Sequence, residues 1–309
     1  MNTRLKIGIF AACLLVNSTV VAQEENQAHR FDPPWNSPPA SAVEFTVPGI
    51  NNVPDLYGDI VDPQLVVFFA GNQFMCVDEL LETFKKKHPE IQRIFVETLP
   101  PGILAEQIKG GSLTLGNLRI THKPDVYTAG KERIQEMDSY FSKVAAYAYN
   151  GLSLMVAEGN PKGIVSLRDL ARKDLRISMP NPACEGIGRQ IETAYRKTGG
   201  QSLHQAVMEE KVSEGSTYLT KIHHRESPLR LLYGNSDVAP VWTSEVVYQK
   251  MIGHPVEEIP IAEEHNIKAT YMAGRLKDAP HKQAADLFME FMTSEEAKAI
   301  YRRHGFQTE

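Results

Sequence analysis

Cysteine is scarce, with three residues in 309, at positions 13, 76 and 184. If Cys13 leaves with a leader, at most one disulfide can form, and no Cys-x-x-Cys pair offers a compact metal or redox motif. Basic excess is also absent: 33 Lys and Arg face 38 Asp and Glu, a formal net charge of −5. An acidic chain with no basic stripe is a poor nucleic-acid binder. After the first 22 residues no run is long and uncharged enough for a spanning helix of roughly 20 residues.

The N-terminus carries Arg4 and Lys6, then "IGIFAACLLV", then Val-Val-Ala before Gln23. This is the pattern of an export leader over 1–22, which places the mature protein in the periplasm. "FAAC" resembles a lipobox, but the apolar run continues past Cys13, which argues against lipidation. Residues 23–63 are rich in Pro, Asn, Ser and acidic groups and read as an extended arm, with Trp35, Phe45 and Tyr57 as docking hooks.

The body alternates strand and helix patterns. "QLVVFFAGN" is a buried strand, and "FMCVDELLETFKKKHPEI" is a helix with Val77, Leu80, Leu81 and Phe84 on one face. "IQRIFVETLP", a short helix "ILAEQIKGG", a hairpin "SLTLGNLRIT" and "KPDVYTAGKERIQEM" follow. The pattern restarts at "YNGLSLMVAEG", with Ser166 as a helix cap, "DLRISMP" as a strand, "GIGRQIETAYRKTGG" as a helix, and "DVAPVWTSEVVYQKM" as strand, turn and helix. Two C-terminal helices close the chain. This order predicts parallel α/β sheets in two lobes around a cleft, with ligands beyond the carboxyl ends of the strands.

"VVFFAGNQFMCVDELLETFKKKHPEI", "ETLPPGILAEQIKGG" with "KPDVYTAG", "DLRISMPNPACEGIGRQIETAYRKTG", "GNSDVAPVWTSEV" and "FMTSEEAKAIYRRHGF" span residues 65–306. In order and spacing they resemble the type II periplasmic solute-binding proteins of ABC importers, nearest the molybdate-binding branch. The resemblance implies an α/β fold of two lobes, each a mixed sheet flanked by helices, with lobe one from 64–147 and 261–309 and lobe two from 148–260. It also implies a monomer that delivers a small anion to a membrane permease, with no cofactor and no catalysis.

Members of that family hold an oxyanion with helix-start N–H groups, small hydroxyls and a tyrosine. Carried onto this chain, the first serine falls on Asn72, beside Gln73, and the second near Pro101 and Gly102, where proline offers no donor. The lobe-two helix start falls at Cys184, Glu185, Gly186 and Ile187. A loop contact falls on His224, beside Arg225, and the tyrosine falls on Trp242. These exchanges argue for a ligand other than molybdate.

Other readings of the same residues stay open. Cys184, His223 and His224, with Glu185, could hold a metal or metalloid, since thiolate and imidazole suit soft centres. Cys184 and His224 could be nucleophile and base, although no nucleophile motif surrounds them. The arm could dock a periplasmic partner. Cys76 reads as core packing, and Trp242 as either a cleft wall or a core plug.

Overall fold

Six consecutive apolar residues form strand β2 (Leu65–Ala70), and all six are buried. A strand with no solvent face must be covered on both sides by helices and paired on both edges. In the computed structural model, which describes residues 56–115, 118–183, 185–221 and 225–309, β2 lies between two parallel partners, β3 (Ile94–Leu99) and β6 (Val126–Gly130). The leader expected over 1–22 and residues 23–55 of the expected arm lie outside the described residues. The arm's last residues add a strand that the composition did not suggest: β1 (Leu56–Gly58) pairs antiparallel with β3.

The first sheet runs β1-β3-β2-β6-β13-β7, where β7 is Phe141–Asn150 and β13 is Ala269–Leu276. The second runs β10-β9-β11-β8-β12, from β8 (Leu152–Ala157), β9 (Ile177–Met179), β10 (Thr217–Leu219), β11 (Val238–Trp242) and β12 (Val256–Pro260). β4 (Leu113–Leu115) and β5 (Leu118–Ile120) form the expected hairpin. Both large sheets are mixed. β13 is antiparallel to β6 and β7, and β8 is antiparallel to β11 and β12. These antiparallel strands follow from how the chain travels: it leaves the first sheet through β7, enters the second through β8, and returns as β13.

Helices α1 (Phe74–Lys87), α2 (Pro101–Gly110) and α3 (Lys131–Glu136) follow β2, β3 and β6. In the second lobe α4 (Gly186–Gln205) follows β9, α5 (Glu226–Leu232) precedes β11, and α6 (Thr243–Met251) follows it. α4 is interrupted at Gly200, where φ is +65°, so the expected glycine stop takes the form of a kink. Ser166 makes a reciprocal capping box with Asp169. The C-terminal α7 (Lys282–Met292) and α8 (Glu295–Arg303) pack on lobe one, where Phe288 meets Phe84 edge to face at 5.0 Å.

Two chain crossings join the sheets, at Gly151 and through residues 261–268. The Asn266 side chain binds the first crossing as a strand would: its Oδ1 accepts from Leu152 N (2.9 Å) and its Nδ2 donates to Leu152 O (2.8 Å).

A buried carboxyl sits inside lobe one. Gln107 Nε2 donates to Glu97 Oε1 at 2.9 Å, while Glu97 Oε2 and Gln107 Oε1, both acceptors, are buried without a donor. A proton on Glu97 supplies the missing donor, and burial pushes its pKa from 4.5 up to about 7. Because the unfolded chain gives up this proton first, the native state should lose roughly 3 kcal/mol as pH rises from 4.5 to about 7 and then level off. Urea melts across that range should show the loss, and Glu97→Gln should remove most of it.

Candidate functional site: the interlobe cleft

The segment after β2 in lobe one meets the segment after β10 in lobe two, and the end of β11 meets β13. After β2 the chain tightens into a 3-10 turn, Gly71–Gln73, before α1. Gly71 lies against β3, where a Cβ would stand 3.1 Å from Thr98 O and Leu99 C. Asn72 donates from Nδ2 to the Tyr271 hydroxyl at 2.5 Å. Gln73 is fully buried: its Oε1 accepts from the hydroxyls of Tyr147 (2.8 Å) and Tyr301 (3.0 Å), and its Nε2 has no partner among the described residues. Burial drives the phenols of Tyr147, Tyr271 and Tyr301 well above their usual pKa, so they stay neutral.

Pro101 begins α2 half-buried, and its carbonyl accepts from the Tyr127 hydroxyl at 2.7 Å. Gly102 is exposed, with open space where a Cβ would sit. Neither side chain offers a hydrogen-bond donor. Cys76 lies on the buried face of α1 as a free thiol with no solvent exposure. Burial, with Glu79 nearby, raises its pKa well above the ordinary thiol value, the environment of an inert cysteine.

In lobe two, Cys184, His223 and His224 lie outside the described residues. Among the described residues no cluster of three or more His, Cys, Asp or Glu is placed to hold a metal. Glu185 precedes α4, and its carboxylate accepts from the Thr220 hydroxyl at 2.5 Å, while Thr220 Oγ1 accepts from Asn181 N at 3.1 Å. A carboxylate at this helix start already offers the macrodipole its negative charge. Gly186 is exposed, and Ile187 is buried in the lobe-two core.

Arg225, just before α5, is 3% exposed and reaches across the cleft. Its Nη2 donates to Gly71 O at 3.0 Å, and its guanidinium lies 4.6 Å from the centre of the Phe74 ring. Phe74 also meets Tyr248 of α6 edge to face at 4.9 Å. Trp242 ends β11 in the lobe-two core, and its ring stands 6.3 Å from Tyr271 of lobe one. Asn150 Nδ2 donates to Ser244 Oγ at 2.9 Å, and the turn at Gly305 packs so tightly on α6 that a Cβ there would lie 2.7 Å from Val247 Cγ2.

Of the residues expected from sequence, Arg225 and Trp242 touch the other lobe, Asn72 bonds Tyr271 beside Trp242, and Gln73 lies inside lobe one. Sequence reasoning missed Phe74, Asn150, Ser244, Tyr248 and Tyr271. Asn150-Gly151 and Thr243-Ser244 are turn signals that could have marked two of these places, whereas the aromatic residues carry no local signal.

Two lobes meeting at their strand ends, with polar and aromatic groups from both between them, make a place to enclose a solute. Residues 65–307 match the bacterial extracellular solute-binding protein family. The chain belongs to that family. This solute-binding protein is 23% identical over 245 residues to YvgL of Bacillus subtilis (strain 168), assigned as an ABC transporter substrate-binding lipoprotein; the match covers 79% of this chain and 86% of that one. Its fold is similar to the Azotobacter vinelandii periplasmic molybdate-binding protein (TM-score 0.63, 18% identity, covering 79% and 99% of the two chains). It is likewise similar to the sulfate-binding protein SubI of Mycobacterium tuberculosis H37Rv (TM-score 0.63, 17% identity, covering 79% and 86%). These likenesses establish the type II two-lobed fold expected from the sequence.

Gly188 lets α4 sit against the loop before it: a Cβ there would lie 2.5 Å from Pro180 O and 2.6 Å from Pro182 N. Gly188→Ala should therefore destabilise the protein by about 1–3 kcal/mol, as overpacking does, and displace the loop leading to Glu185. Thermal unfolding of the variant checks the first effect.

Proposed function

We propose that this solute-binding protein captures a small anion between its lobes in the periplasm and presents it, as a monomer, to the permease of an ABC importer. The observation that carries the reading is Arg225, a permanent cation buried at the cleft against Gly71 and Phe74. Asn72, Gln73, the Pro101-Gly102 turn, the 184–187 helix start, His224 and Trp242 complete the proposed enclosure, between a lobe of 64–147 with 261–309 and a lobe of 148–260. Residues 1–22 serve as the leader in this reading.

The neighbours named for molybdate and sulfate concern dianions that only accept hydrogen bonds. Glu185 also only accepts, and a fully deprotonated oxyanion beside it would meet repulsion. The proposed solute is therefore an anion with an O–H of its own, such as monohydrogen phosphate or a small hydroxycarboxylate. Calorimetric titration with phosphate, sulfate, molybdate and lactate tests this. Phosphate or lactate should bind more tightly than sulfate or molybdate, and Arg225→Ala should weaken binding at least about tenfold, the scale of a lost charge-assisted bond. Glu185→Gln should narrow the preference over sulfate. Wild-type affinity in Arg225→Ala would remove the anion reading, and equal binding of sulfate and phosphate would remove its donor requirement.

A further inference from the structure

Phe74 begins a lobe-one helix, yet its ring is flanked by two lobe-two side chains, Arg225 at 4.6 Å over the face and Tyr248 at 4.9 Å on the edge. Arg225 also donates to Gly71 O, one of the main-chain groups at the end of β2, at 3.0 Å. Tyr248 packs on the lobe-one hydrophobic core although it belongs to α6. These contacts need no solute. A guanidinium over an aromatic face, with one N–H on a carbonyl, is held by groups of the protein itself.

We propose that Arg225, Phe74 and Tyr248 form a clasp that holds the lobes closed before any solute arrives, and that an incoming anion binds by taking the guanidinium from Gly71. The inference rests on the cleft described above and deepens the proposed anion capture by giving Arg225 a second role. An anion and a carbonyl compete for the same donor, so binding is an exchange rather than a simple addition. Arg225 is then a positioning residue in the empty protein and a ligand contact in the loaded one. The apparent affinity is lowered by the fraction of molecules that are closed and inaccessible, and the entry rate is set by opening.

The test measures the empty protein. Spin labels at Glu106→Cys on α2 and Thr193→Cys on α4, both exposed positions, report the distance between lobes in a Cys184→Ser background. The unliganded protein should show one short distance. Phe74→Leu, which keeps the Arg225 charge but removes its platform, and Arg225→Lys, which keeps the charge but loses the planar fork, should each lose the short population in favour of a longer one. Circular dichroism melts establish that each variant is folded. A wild-type distance already long, or variants whose distances match the wild type, would overturn the clasp. Because no solute is present, this outcome is independent of the titrations: a chain that binds no anion can still be clasped, and one that binds anions through Arg225 can still stand open.

Discussion

Asn266 ties together the two chain segments that pass between the lobes, one by its position and the other by its side chain. Its amide pairs with both main-chain groups of Leu152, replacing the ladder bonds that neighbouring strands would make. At this place the two sheets end, and main-chain groups would otherwise lose their partners. With the two segments held together, the turn after β2 and the segment after β10 meet across the lobes. The cleft, its helix starts and the contacts across it all follow from that placement.

Behind the turn after β2, lobe one is filled with neutral polar groups. Three buried phenols and two side-chain amides are joined by hydrogen bonds, and burial keeps the phenols protonated. Lobe two brings the charged groups, Glu185 and Arg225. Both lie on short loops, after β9 and β10.

The fold was largely legible because the strongest sequence signals are one-dimensional. "LVVFFA" can be little other than a buried strand, and the apolar faces of "FMCVDELLETFKKK" and "KQAADLFMEFM" are all buried as their periodicity requires. Strand direction was less legible, since β13 pairs with β6 and β7 far away in sequence and a pattern of apolar residues has no arrow. β7, an edge strand with exposed Ser142, Lys143 and Val144, lacks the continuous apolar run that revealed β2. At the site, Arg225 stood out as a charge in a loop. Phe74 and Tyr248 could not, because each lies on an amphipathic helix where an aromatic residue reads as core, and only the approach of the second lobe makes them an interface.

The tail after α8 bears on how the two lobes meet. Gly305, at φ +83°, lies so close to Val247 and Ser244 that no side chain fits between them. A side chain at this turn would push α6 away from the tail, so the glycine sets how closely the second lobe can seat on the first.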